Sequence, residues 1–371
     1  MLIQNAKAFI DGKFQEKTDL LIRDGRISAI GTGLAAEGEE LLDLGGDLLL
    51  PGFVDVHIHA FKGMDTMQGE EAVRHMSREL KKVGVAAFLP TTMSASPEDT
   101  VKALAGVKAV MERPEPDGAI VLGAHMEAPF LAEAKAGAQL KQYFADPNEE
   151  NWQRYTRRLE SVVRLITMAP ERAGAMEFIS ALTKKGITVS IGHTTADAET
   201  THAAAVAGAT HVTHTFNAQT PLNHRAPGVP GAALVDDRLQ CEVISDGIHL
   251  HPDIVKLIIR TKGREKLVAI TDAMEAAGMP DGQYQLGGQE VFVHEGAARL
   301  KDGTLAGSTL TMIRAFQNLI RFGATPEEAA LMTTKTPALS IGNEELGEIE
   351  LGAPAIFSRF DENYAFKGTV G

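Results

Sequence analysis

The chain has 371 residues, with 36 basic against 49 acidic side chains and a formal charge of −13, too acidic for a general binder of nucleic acid or of anionic membrane surfaces. A content of 44% hydrophobic and 23% charged residues is close to globular averages and excludes extensive disorder, while the length fits one large domain with a small companion. Cys241 is the only cysteine, which excludes an intramolecular disulfide or a cysteine-rich metal site.

Residues 1–50 read as β structure. In LLIRDGRISAIG (20–31) apolar and polar residues alternate around Asp24-Gly25, a dipeptide that tolerates the positive φ angles of a hairpin turn. From residue 53 the texture changes to short apolar runs at 53–60, 85–92, 119–130, 165–170, 187–194, 209–218, 240–251 and 266–274, separated by helix-length stretches such as 70–84, 97–111 and 197–208. Near-continuous Val/Ile/Leu runs alternating with helices predict parallel strands with crossover connections. Eight such units predict an α/β fold built on a (β/α)8 TIM-like barrel, with a doubly wound open sheet as the alternative. GEIELGAPAIFSRF (347–360) returns to a strand-like texture. The predicted division is therefore a small β-sandwich domain formed by 1–50 and 343–371 around a catalytic barrel at 51–342. No apolar run approaches the roughly 20 residues of a membrane helix, and the early, polar N-terminus MLIQNAKAFIDGKF is unlike a secretory signal, so a cytoplasmic protein is expected.

The strand candidates end in residues an apolar strand does not need. His57 and His59 close the first on one face, Glu127 the third, His193 the fifth, His214 the sixth and Asp272 the eighth. The C-terminal rim of such a barrel is where side chains from different strands converge, and imidazoles with carboxylates suit a divalent-metal hydrolase. Each residue alone is more often an ordinary core side chain; the joint placement carries the reading. A merely polar layer at the barrel mouth is the bland alternative. His75, His202 and His294 are expected on the solvated surface, His211 in packing, His125 in a supporting hydrogen bond, His249 against substrate, and His251 either in support or at a helix start.

The arrangement resembles the amidohydrolase superfamily. The stretches PGFVDVHIHA, GAHMEAPFLAEAKAGAQ, GHTTAD, THTFNAQTPLNHRAPGVPGAAL, ISDGIHLHP, TDAM and LAGSTLTM are similar to its N-acetylglucosamine-6-phosphate deacetylase branch. The resemblance implies metal-dependent hydrolysis of an N-acetyl group, with Glu127, His193 and His214 holding a divalent ion, Zn2+, and His57 and His59 with Glu127 a second. It implies Asp272 as the proton carrier. It assigns substrate contacts to Ala138, Asn217, Ala218, Arg225, His249 and the run Leu305, Ala306, Gly307, Ser308. It also implies a homodimer in which the Arg225 loop reaches the neighbouring subunit's site. Ala60 and Ala128 stand where the branch has Gly, Gln219 where it has Met, and LGAPAIFSRFDEN departs from the branch's C-terminal element. The galacto epimer as substrate, an N-acyl amino acid or cyclic amide, and a non-catalytic assembly protein are the rival readings.

Overall fold

The computed structural model describes residues 1–35 and 38–371. Eight parallel strands follow one another around a ring: Phe53–Ile58, Val85–Thr92, Ala124–Met126, Val163–Met168, Thr188–Ile191, His211–Val212, Gln240–Ile244 and Leu267–Ile270. The seam between the eighth and the first is closed by main-chain bonds. Asp272 N–H donates to His57 O at 2.8 Å, and the N–H groups of His59 and Ala60 donate to Ala273 O at 3.0 Å. Every residue of Phe53–Ile58 and Val85–Thr92 is buried, as strands covered on both faces must be.

The three helical stretches read from the sequence appear as Glu70–Lys82, Pro97–Glu112 and Ala198–Ala207. Pro97–Glu112 begins where it does because the Ser96 side chain accepts from Asp99 N–H and Pro97 occupies the first turn, two devices that satisfy or remove orphan donors.

The two chain ends build one seven-stranded sheet from Leu2–Ile10, Lys13–Arg23, Arg26–Gly31, Leu41–Asp43, Leu48–Pro51, Phe357–Phe360 and Phe366–Val370. The hairpin turn is at Asp24-Gly25, with φ of 50° and 70°. Leu48–Pro51 pairs antiparallel with Phe357–Phe360, so the ends meet. Ile3, Leu20, Ile27, Leu49 and Phe357 form this sheet's own core. Gly52 joins it to the barrel: a Cβ there would lie 2.6 Å from that of Ala86, so only glycine lets the last strand of the sheet run straight into the first strand of the barrel.

The eight-strand reading leaves out a third sheet. Gly282–Leu286, Gln289–His294 and Ala297–Arg299 form an antiparallel meander inserted between the eighth barrel strand and the helix Met312–Arg321. It packs on the barrel mouth through Met93, Met274, Leu286 and Val291.

Candidate metal-dependent active site

His193, His214 and Asp272 each lie two residues past the end of their strand, and all three have positive φ, at 47°, 29° and 50°. That backbone costs a non-glycine residue about 1–2 kcal/mol and is held where surrounding structure determines it. His57 lies in the first strand, His59 just beyond it, and Glu127 just beyond the third.

These ends converge. Oε1 of Glu127 is 3.2 Å from Nε2 of His193, 3.1 Å from Nε2 of His214 and 3.5 Å from Nε2 of His57, while Oε2 is 3.3 Å from Nε2 of His59. Asp272 Oδ1 lies 3.2 Å from Nε2 of His59 and 3.5 Å from that of His57. Two three-residue groups able to hold a cation share Glu127: one with His57 and His59, the other with His193 and His214. Ligand atoms about 2.0–2.1 Å from a tetrahedral zinc ion lie about 3.3 Å apart, so the donor set fits such an ion.

The far side of the rings fits as well. His193 Nδ1 lies 2.7 Å from Lys135 O, His59 Nδ1 3.3 Å from Thr91 O, and His57 Nδ1 3.0 Å from Glu242 Oε2. A carbonyl or carboxylate oxygen only accepts, so Nδ1 carries the hydrogen in each and Nε2 turns its lone pair to the centre. Burial works against charge on His59, yet the facing carboxylates of Asp272 and Glu127 raise its affinity for a proton well above the ordinary. Burial would likewise raise Glu127, but His57, His193, His214 and His59 hold its carboxyl well below the usual range. The position calls for positive charge.

The centre opens into a cavity of about 330 Å³ whose wall includes His59, Glu127, His193, His214 and Asp272. Of the predicted substrate contacts, Ala138, Asn217, Ala218, His249, Leu305 and Gly307 also line it. His249 is fixed by Asp246, whose Oδ2 accepts from Nδ1 at 2.7 Å. Ala306 and Ser308 do not line it. Ala306 is buried with its N–H on Ala298 O, and Ser308 binds the main chain of Thr271 and Asp272. The bend at Gly307, φ +62°, thus leaves Leu305 and Gly307 on the cavity wall and Ala306 and Ser308 turned into the protein. Arg225 stands in the exposed run 221–227, outside the cavity of its own chain.

The other histidines sort as follows. His125 is fully buried, donates to or accepts from Thr167 Oγ1 at 2.8 Å and packs edge-on against His57; burial and the neighbouring His57 push its pKa well below the ordinary imidazole value. His211 packs between Glu242 and Ser340 O. His251 caps the helix Pro252–Lys262. His294 is exposed and His202, partly exposed, pairs with Asp236. The expectation for His75 is corrected: its ring is half-buried against the barrel, with Nε2 shielded from solvent.

Sequence reasoning missed four contributors. Glu242 supports His57 from the seventh strand. Gln139 lines the cavity and its Nε2 donates to Glu127 Oε2. Lys135 adds a cation to the cavity wall, and Met93 an apolar surface. A charged residue inside the apolar run QCEVIS was a readable signal for Glu242; the others carry none. Gln219, the departure from the branch, braces the loop after the sixth strand by accepting from Phe216 N–H and donating to Thr213 O.

The family model of the amidohydrolase family matches residues 48–368. A Lysinibacillus sphaericus N-acetylglucosamine-6-phosphate deacetylase is 36% identical over 374 residues, covering 100% of this chain and 96% of that one. An Escherichia coli O157:H7 N-acetylgalactosamine-6-phosphate deacetylase is 36% identical over 343 residues, covering 91% and 88%. Among solved structures, a mutant Mycobacterium smegmatis N-acetyl-D-glucosamine-6-phosphate deacetylase in complex with N-acetyl-D-glucosamine-6-phosphate superposes with a TM-score of 0.92 at 31% identity, covering 100% of this chain and 97% of that one. With barrel, convergent histidines and full-length similarity in agreement, the chain belongs to the amidohydrolase family and, within it, to the N-acetylglucosamine-6-phosphate deacetylase branch.

Proposed function

We propose that the chain hydrolyses the N-acetyl group of N-acetylglucosamine 6-phosphate, releasing glucosamine 6-phosphate and acetate. The observation that carries this reading is the sharing of Glu127 by the imidazoles of His193 and His214, with Asp272 on the same cavity wall. A divalent ion, zinc in this reading, held by Glu127, His193 and His214, with a second between His57, His59 and Glu127, supplies an acidified water and a polarised carbonyl.

The chain's own residues supply the proton traffic. Burial would raise Asp272, but His57 and His59 hold its carboxyl below the usual range, so it is ionised at neutral pH and free to accept. It takes a proton from water as the oxygen attacks the amide carbon, then delivers it to the amide nitrogen. The C–N bond breaks with the amine neutral, because an unprotonated amide nitrogen is a poor leaving group. Asn217, Ala218, His249, Leu305 and Gly307 grip the sugar and its phosphate.

The small β domain takes 1–50 and 343–371 and the barrel 51–342. The chain works in the cytoplasm as a homodimer, each Arg225 loop reaching the partner's cavity. Support for the last point is the exposure of 221–227 and the lack of any ion pair to Arg225 among the described residues. Metal analysis of the purified chain together with acetate release from N-acetylglucosamine 6-phosphate tests the whole: bound metal and acetate are expected, and neither appearing overturns it. The E. coli galacto-directed relative, equally similar at 36%, makes the C4 epimer the second substrate to assay.

A further inference from the structure

We propose that Met93 sets the length of the N-acyl group this site accepts, by sealing the substrate cavity off from a second cavity behind it; the proposal rests on the deacetylase reading above.

The second cavity, of about 350 Å³, is lined in part by Asp65, Met67, Ser94, Leu140, Tyr143 and Gly287. Among the described residues, Met93 is the one common to both linings. Around it the chain alternates between the two spaces: Gln139 faces the substrate cavity and Leu140 the second, Leu286 the first and its neighbours Gln285 and Gly287 the second. The two spaces are therefore back to back across a partition one side chain thick.

That partition is pinned. Met93 N–H donates to Met67 Sδ at 3.4 Å, and Gln139 Nε2 donates to Met93 Sδ at 3.5 Å. Met93 also lies flat on the backbone of Gly287, where a Cβ would come within 3.3 Å of its Cε. The φ of Gly287, +56°, itself favours glycine.

Met93 also stands near the candidate metal groups. The Gln139 nitrogen that donates to Met93 donates to Glu127 as well, so the wall is one side chain from the metal centre. Met93 follows the second barrel strand, whereas Asn217 and His249 follow the sixth and seventh, across the same rim. With the sugar phosphate gripped by Asn217, Ala218, His249, Leu305 and Gly307, the proposal seats the acyl chain in the remaining part of the lining, between Gln139 and Met93. On this placement a longer straight chain runs toward the thioether. Truncating Met93 joins the cavities and gives that chain about 350 Å³ to enter.

The experiment compares kcat/KM for glucosamine 6-phosphate carrying N-acetyl, N-butanoyl and N-hexanoyl groups. A single methylene in an apolar pocket is worth roughly tenfold or more in discrimination. Met93→Ala is therefore expected to raise the hexanoyl-to-acetyl ratio at least about tenfold, and Met93→Val, which removes less volume, to move it the same way. Met93→Leu keeps the wall and the ratio. Adding Ala95→Phe to Met93→Ala fills the second cavity, which Ala95 lines, and should remove the gain for N-hexanoyl. An active wild-type chain whose Met93→Ala and Met93→Val variants keep the ratio, or a gain that survives Ala95→Phe, overturns the proposal alone. A wild-type chain that releases no acetate overturns the deacetylase reading beneath it.

Discussion

Oε2 of Glu242 lies 3.0 Å from Nδ1 of His57, and neither side chain reaches solvent. The same oxygen accepts the main-chain N–H of His214 at 3.2 Å, and Oε1 faces Nδ1 of His211 at 3.5 Å. One carboxylate thus braces a residue from each candidate metal group. Burial would raise it, but His211 and His57 hold it well below the usual carboxylate range. It is a charge the interior keeps because two imidazoles oppose it.

Replacing Glu242 by glutamine keeps the shape and removes that charge. Zinc affinity, measured by competition with a chelator, is expected to fall about 10–100-fold, the usual result of losing a partner that orients a metal-binding histidine. Unchanged affinity would remove Glu242 from the site. Glu242→Ala, which leaves buried imidazoles without their acceptor, is expected to destabilise the fold by about 3 kcal/mol or more.

Asp272→Asn separates proton transfer from metal binding. The amide keeps the size and shape of the carboxylate and leaves Glu127, His193 and His214 untouched, so metal content should match wild type, but no proton can be taken and returned. A fall in kcat of about 10²–10⁴ is expected. Near-normal turnover in a metal-loaded variant would show that another group carries the proton.

Arg225→Ala tests the loop. A guanidinium recognises phosphate by paired hydrogen bonds, so KM for N-acetylglucosamine 6-phosphate should rise at least about tenfold while that for unphosphorylated N-acetylglucosamine barely moves. Equal effects on the two substrates would place Arg225 outside phosphate recognition.

Asp55 gives the fold a pH dependence. It is fully buried, with Oδ2 accepting from Thr271 Oγ1 at 2.6 Å and Oδ1 accepting the N–H groups of Thr271 and His57 at 3.3 Å. Burial outweighs these bonds and raises its carboxyl from 3.8 to about 7. The folded state therefore holds the proton more tightly than the unfolded chain. The stability this lends is complete below about pH 4 and is lost as pH rises toward about 7, at most about 4 kcal/mol by linkage. Urea unfolding of Asp55→Asn should show a smaller loss between pH 4 and 8 than wild type; parallel curves would show that Asp55 titrates normally.

The barrel was legible because strands buried on both faces must be apolar throughout, so a polar residue at each end stands out. His57, His59, Glu127, His193, His214 and Asp272 were found in that way, and the structure brings them together. The meander over the mouth was harder to read. Its strands run three to six residues, too short for a periodicity signal, although Gly287-Gly288 and Glu295-Gly296, all with positive φ, mark its two turns. Of the run 305–308, only Leu305 and Gly307 line the cavity, a difference that a motif, which names neighbours without saying which way each points, does not carry. Lys135, Gln139 and Met93 sit in loops whose path depends on the rest of the fold, and no local pattern announces them.

The seam of the barrel passes through the reaction centre, since the bond from Asp272 N–H to His57 O closes the ring. More than two hundred residues of chain separate those two positions, and loop closure over that length must be complete before they meet. A ribosome that has not yet released residue 272 therefore carries the converging histidines but no closed barrel. Competence cannot precede the closing of the ring, and Leu305 and Gly307, which line the same cavity, leave the ribosome later still.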